Sequence, residues 1–151
     1  MKRFLQVLGG AALLLILAGV VGFILFAPEG RRLDTTSRDY VSHVLDQPMK
    51  NWDLPALKAE SSEELQAALS DEQLSLLLQK FSARLGPIQS HGTPRGESRT
   101  SVINFRRVVT ADYVVPATFQ KAEGQVNVRC ILKGDRWKLL SVYVSSDALL
   151  R

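Results

Sequence analysis

This sequence contains few of the side chains that carry catalysis or bind metals. Of its 151 residues, one is cysteine and two are histidine. A single thiol cannot form a disulfide within the chain, so Cys130 is predicted to be a small buried hydrophobic residue. His43 and His91 have no second histidine, cysteine or carboxylate at metal-ligand spacing. The sequence therefore predicts no zinc or iron site and no cofactor.

Motifs for nucleophilic catalysis and phosphate binding are also missing from the sequence. No serine lies in a Gly-x-Ser-x-Gly elbow, and no glycine-rich loop leads from a strand into a helix. Nucleic-acid binding is not predicted, because no motif of aromatic and basic residues accompanies the charge. We therefore expect a protein that is not an enzyme and has no catalytic residue.

The charge is unevenly distributed along the chain. Residues 28–83 hold 6 Lys or Arg and 10 Asp or Glu, whereas residues 84–151 hold 11 and 5. One interpretation is that acidic helices lie against a basic sheet. The other is that a basic surface meets an acidic partner or lipid headgroups. The residues of that surface would be Arg95, Arg99, Arg106 and Arg107.

A long apolar run follows the first three residues. Phe4–Ala27 is 24 residues without an ionisable side chain, and at about 1.5 Å per residue it spans a hydrocarbon core of about 30 Å. It exceeds the roughly 7 to 15 residues of a signal-peptide core, which favours a retained signal anchor over a cleaved signal peptide. The predicted organisation is a cytoplasmic tail at 1–3, a transmembrane helix at 4–27, a linker at 28–33 and one domain at 34–151.

Helices are predicted in the first half of the domain, at about 34–46, 61–69 and 71–85, and residues 51–60 are predicted to be a turn followed by a short helix. Asp34 or Thr36 can cap the first helix. Ser61–Glu64 and Ser70–Gln73 each fit a capping box. The last helix carries an apolar stripe, and we expect it to pack across the sheet. The stripe consists of Leu74, Leu77, Leu78, Phe81 and Leu85.

The last third of the chain alternates between apolar and polar residues, which is the period of a strand with one buried face. Strands are predicted at about 101–109, 113–119, 124–133 and 136–145, joined by tight turns into an antiparallel meander. Gly92–Glu97 is interpreted as a surface loop. Pro116 cannot donate to a ladder, so its strand is expected at an edge or to carry a bulge.

The predicted strand at 136–145 is apolar on both faces, and such a strand is usually covered on both sides. One face carries Trp137, Leu139 and Tyr143, and the other carries Leu140, Val142 and Val144. The sequence thus suggests a partner surface on this sheet. It would consist of Leu140, Val142, Val144, Arg106 and Arg107.

Aromatic side chains indicate a second candidate site, a cavity between the helices and a curved sheet. Alternatively, the same residues form the core, which is the usual role of aromatic residues at strand spacing. The candidate cavity lining consists of Trp52, Tyr113, Phe119, Trp137 and Tyr143.

Taken in order along the chain, several segments form a series of helix stop, alternating strands and hairpin. They are Phe81–Ile88, Tyr113–Phe119, Gly124–Val126, Asp135–Leu139 and Val144–Ser146. In this order the chain resembles the cystatin-like, or nuclear-transport-factor-two-like, superfamily, and more narrowly small membrane-anchored bacterial envelope proteins of unknown function. The resemblance implies an α+β fold, with about three helices packed on a curved antiparallel sheet of four or five strands. Because these features are structural, it carries over no catalytic residue.

Two functions are expected. The first is a single-span binding or assembly module in the bacterial inner membrane, with its domain in the periplasm or outside the cell. The bilayer would hold residues 4–27, and the partner would be a second copy or another envelope protein. The alternative is a small-molecule-binding or enzymatic domain. A cavity with a carboxylate or histidine beside Tyr113 or Tyr143 would favour the alternative, and a filled core with a flat apolar patch would favour the first.

Overall fold

The computed structural model describes residues 29–150. The predicted tail at 1–3 and the predicted transmembrane helix at 4–27 lie outside the described residues. Within residues 29–150, none of the helices has the length and apolar character needed to cross a bilayer. The chain divides into two units between Leu33 and Asp34, and the site described below belongs to the second.

Four helices of the described residues precede the sheet. They are α1 at residues 29–46, α2 at Leu54–Glu60, α3 at Glu63–Ala68 and α4 at Asp71–Arg84. The predicted capping box begins α4, whereas α3 is capped by Ser62 rather than by Ser61 and has no box. The Ser62 hydroxyl accepts from the Leu65 amide at 3.2 Å, and Ser70 and Gln73 form a complete capping box.

The start of α1 differs from the prediction. Residues 29–33, predicted to be a linker, are already helical, so neither Asp34 nor Thr36 caps this helix. The Asp34 carboxylate instead accepts hydrogen bonds from the Ser98 amide at 2.8 Å and the Ser98 hydroxyl at 2.5 Å. A sequence identifies a cap only by residue type, and here the same acceptor binds a distant segment of the chain.

Five strands of the described residues form one antiparallel sheet. They are β1 at Ile88–His91, β2 at Arg95–Ile103, β3 at Arg106–Phe119, β4 at Glu123–Lys133 and β5 at Arg136–Ser145. One edge of β3 pairs with β4, which pairs with β5, and the other edge is shared by β1 and β2. A 3-10 turn, Asp147–Leu149, follows. The predicted α+β fold with an antiparallel sheet is confirmed.

The strand predicted at 101–109 is wrong, because it contains a turn. Asn104 and Phe105 have φ of +50° and +62°, and Ile103 pairs with Arg106 across them. Two successive residues with positive φ are typical of a two-residue hairpin turn, where Asn-Gly is the usual sequence. Because Phe105 stands where glycine is usual, the sequence does not show this turn. The predicted loop at Gly92–Glu97 is also partly strand, since β2 begins at Arg95.

Pro116 lies inside the sheet rather than at an edge or bulge. It pairs with Gln125 of β4, and its carbonyl accepts from the Gly92 amide at 2.8 Å. That hydrogen bond falls between the end of β1 and the start of β2. The missing amide proton of Pro116 therefore faces a gap between two strands, where no ladder hydrogen bond is lost.

A bulge in β5 overturns the predicted faces of that strand. Arg129 of β4 pairs with Ser141, whereas Cys130 pairs with Leu139, so Leu140 is an extra residue. One extra residue moves every later side chain to the other face. The inner face therefore carries Trp137, Leu139, Val142 and Val144, and Tyr143 points outward with 68% of its surface exposed.

Helix α1, rather than α4, lies across the sheet. The Ser37 hydroxyl is 2.8 Å from the Tyr113 hydroxyl of β3, and the Trp137 indole donates to the Thr36 hydroxyl at 3.1 Å. Helix α4 contacts α2 and the 3-10 turn, and its contacts with each strand are fewer than these. The predicted packing of α4 across the sheet is thus wrong, because an apolar stripe shows that a helix is buried but not against which neighbour.

Candidate functional site

An apolar groove lies between α4 and β5. Its volume is about 400 Å³, and ligand pockets range over roughly 300–1,000 Å³. One wall of this α4–β5 groove consists of Leu65, Leu69, Leu74, Leu77, Leu78 and Phe81. The other consists of Leu139, Val142, Tyr143, Val144 and Leu149, and the remaining lining residues are Met49, Trp52, Leu57 and Ser61.

Most of the helical wall is the stripe that the sequence predicts for α4, and α3 with its C-cap contributes Leu65 and Leu69. The capping box at Ser70 fixes where the helix begins, and the leucines then recur on one side of it. Leu78 is buried, Leu74 and Phe81 are half-buried, and Leu77 is 38% exposed. Four residues of the stripe, Leu74, Leu77, Leu78 and Phe81, border the groove.

The strand wall depends on the bulge at Leu140. In a regular strand, Val142 and Val144 would lie on the face opposite Leu139, as the sequence analysis expects. The extra residue brings all three onto one face, where they line the groove. A local irregularity in one strand therefore makes this wall apolar.

The polar groups along the groove already have hydrogen-bond partners. The Ser61 hydroxyl donates to the Leu57 carbonyl at 2.8 Å, and the Trp52 indole donates to the Gly86 carbonyl at 2.8 Å. Apart from the Tyr143 phenol, no lining side chain is ionisable. A bound molecule would meet apolar surface, whose burial contributes about 25 cal/mol per Å².

The five aromatic residues predicted to line one cavity do not surround a single space. Trp52 and Tyr143 line the groove. Phe119 is 2% exposed and lies in the core, stacked on Trp52 with ring centroids 6.0 Å apart. Trp137 is buried and bound to Thr36 of α1. The bulge in β5 separates Tyr143 from Trp137, which share a face in the predicted regular strand.

Tyr113 holds α1 on the sheet, and it also borders the open depression described below. Its hydroxyl donates to the Asp34 carbonyl at 3.0 Å and lies within hydrogen-bond distance of Ser37. Burial raises the pKa of the Tyr113 phenol, so the hydroxyl keeps its proton at neutral pH. These contacts indicate a structural role.

The predicted partner surface is also divided by the structure. Val144 is buried, and Val142 is half-buried in the groove wall. Leu140 is the extra residue of the bulge. Arg106 and Arg107 begin β3 and are exposed beside the Asn104–Phe105 turn. The three apolar residues and the two arginines therefore do not form one patch.

A second, more open depression lies on the solvent face of the sheet. Its volume is about 740 Å³, and two of the predicted cavity residues, Tyr113 and Tyr143, line it together with Asp112 and Glu97. The carboxylate of Asp112 is 2.5 Å from the Arg129 guanidinium, and that of Glu97 is 3.2 Å from the Arg99 guanidinium. Both carboxylates therefore already have arginine partners, and a bound molecule would have to compete with these ion pairs.

The two histidines lie on different elements, His43 on α1 and His91 at the end of β1. His91 Nε2 lies 2.9 Å from an Asp46 carboxylate oxygen, and its Nδ1 lies 2.8 Å from the Gly92 carbonyl. His43 is exposed on α1. Within residues 29–150, no cluster of three or more histidine, cysteine or acidic residues is placed to hold a metal ion.

Cys130 is expected to react with thiol reagents only after the protein unfolds. The prediction that this residue is buried is confirmed, and burial raises the pKa of its thiol to about 12. The thiolate is the nucleophile, so at pH 8 the folded protein should not react with a water-soluble aromatic disulfide. The urea-unfolded chain, measured in parallel, should react completely, and equal rates would contradict the buried position.

The helical wall carries no sequence signal that marks it as part of a site. Leu74, Leu77 and Phe81 were visible as a stripe, but a stripe is the usual signature of core packing. No protein-family model matches this chain, and no curated protein matches it significantly. The resemblance to the cystatin-like superfamily stays a prediction.

Proposed function

We propose that this protein is a non-catalytic, membrane-tethered binding module that holds an apolar chain, the acyl chain of a lipid or fatty acid, in the α4–β5 groove. The observation that carries the proposal is the composition of the two walls. Leucine, valine and aromatic side chains dominate them, and the tyrosine at the rim supplies the single ionisable group. Such walls recognise apolar shape rather than charge.

The size of the groove favours a small ligand over a folded partner. Fifteen residues line it, whereas a standard protein interface uses roughly 20–30 residues on each side. A single acyl chain would fit between α4 and β5 and leave its headgroup in water. Leu77 is partly exposed at the opening, where such a chain would enter.

The predicted transmembrane segment supports the same function. If residues 4–27 span the bilayer, the domain is confined beside a high concentration of acyl chains. The enzymatic alternative has weaker support, because the groove lining contains no carboxylate, imidazole or thiol. Proton transfer by a side chain needs one of these groups, or a phenol or amine, close to the reacting atom. The open depression does place Asp112 and Glu97 beside Tyr113 and Tyr143, but both carboxylates are paired with arginines.

Photolabelling of the full-length protein in nanodiscs tests the proposal. The probe is palmitic acid with a diazirine in the middle of its chain, and labelled tryptic peptides are identified by mass spectrometry. We expect saturable labelling of peptides 59–80 and 139–151, which carry six and five of the groove residues. Excess unlabelled palmitate should suppress it.

Labelling of other peptides by probe dissolved in the bilayer provides the control, because that labelling should not saturate. If labelling of peptides 59–80 and 139–151 rises linearly with the probe and resists competition, the groove does not hold acyl chains. A labelled peptide elsewhere that saturates and competes would place the ligand site outside the α4–β5 groove.

A further inference from the structure

We infer that the tip of the β2–β3 hairpin inserts into the surface of a bilayer that contains anionic phospholipid. The tip, defined as Val102–Arg107, combines exposed apolar side chains with arginines. It is separate from the α4–β5 groove, and the inference does not depend on what the groove binds.

The apolar side chains of the tip have no role in the core. Phe105 is fully exposed, Val102 is 72% exposed, and Ile103 is exposed beside them. Phe105 also adopts φ of +62°, a conformation that glycine would adopt without steric conflict. Folding alone would favour a small residue here, so a large exposed aromatic ring at a strained position points to a function.

Cationic side chains surround this apolar tip. Continuing the register of β3 with β4 places Val108 level with Lys133, so the β4–β5 turn emerges at the same end of the sheet. The β2–β3 hairpin extends two residues further, or about 7 Å. The two turns carry Arg106, Arg107, Lys133 and Arg136 against one acidic residue, Asp135.

This arrangement matches the layers of a membrane surface. Apolar side chains favour the boundary between headgroups and acyl chains, and aromatic rings do so especially. Arginine and lysine reach from there to the phosphates. Lys133 also contacts Glu64, and Arg107 has an interaction within the protein, so the cations need only face the headgroups, without releasing these contacts.

The size of the tip favours a lipid surface over a protein partner. Three apolar side chains cover much less than the roughly 800 Å² per partner of a stable protein interface. An inserted aromatic ring, in contrast, requires no shaped pocket. The cations then complement the negative surface potential of anionic lipid.

Spin labelling of the full-length protein in liposomes tests this inference. A nitroxide is attached at Val102→Cys, and its accessibility is measured with oxygen and with a water-soluble nickel complex. Native Cys130 is buried, and the unsubstituted protein provides the blank. In phosphatidylcholine with about 30 mol% phosphatidylglycerol, we expect the label to lie about 5–10 Å within the headgroup and acyl boundary.

Two matched variants control the measurement. A label at Lys121→Cys, in the turn at the opposite end of the sheet, should remain in water. The second variant carries the Val102 label together with Phe105→Gly. Glycine favours the positive φ of this turn, so the fold should be kept, but the label should no longer lie within the bilayer surface. If the nickel complex reaches the Val102 label as readily as the Lys121 label, the tip does not enter the bilayer and the inference is overturned. The exposed apolar residues of the tip would then indicate a protein partner. Equal depth in pure phosphatidylcholine would overturn the requirement for anionic lipid.

Discussion

Replacing Phe119 with alanine is expected to destabilise the domain by about 3–5 kcal/mol. The ring is 2% exposed and stacks on Trp52, so its loss removes apolar burial and leaves a cavity in a packed core. The free energy of unfolding would be measured by urea titration of the full-length protein in detergent, followed by circular dichroism.

Tyr143→Ala is the matched control for Phe119→Ala. Both residues belong to the aromatic set that the sequence assigns to one cavity, but Tyr143 is 68% exposed. Its replacement should change the free energy of unfolding by no more than about 0.5 kcal/mol. Similar losses for the two variants would mean that Phe119 and Tyr143 share an environment, and the division of that set between core and groove would be wrong.

Periodicity was sufficient to predict most elements of this fold. Val126, Val128 and Cys130 alternate with polar residues along β4, and all three are buried as expected. The capping box at Ser70 also begins α4 where predicted, and α3 begins at Ser62, one residue after the predicted Ser61. These features depend on neighbours in sequence, which a single chain displays directly.

The candidate site could not be predicted, because it depends on features without a local signature. The bulge at Leu140 lies in a run of similar apolar residues, so a regular strand and a bulged strand have the same pattern. The partner of the α4 stripe is set by tertiary packing. The hairpin tip was hidden because Phe105 occupies a turn position that glycine usually marks.

The strongest functional effect is expected from Leu77→Asp, which should weaken acyl-chain binding about 100-fold, because a carboxylate beside the bound chain loses hydration without gaining a partner. Leu77 lines the opening of the groove and is 38% exposed, so the folded domain should tolerate the change. Aspartate is chosen over glutamate because its short side chain cannot reach past the ligand into water.

Leu76→Asp is the control, since Leu76 is the preceding residue of α4, is 60% exposed and does not line the groove. Both variants place aspartate in the same turn of the same helix, so their effects on helix propensity cancel in the comparison. Binding is measured in nanodiscs as quenching of Trp52 by brominated palmitate, in a Trp137→Phe background that leaves one tryptophan. The Leu76 variant should bind within about twofold of the parent. If the two aspartates weaken quenching equally, the effect comes from surface charge near the membrane, and the acyl chain does not occupy the space between α4 and β5.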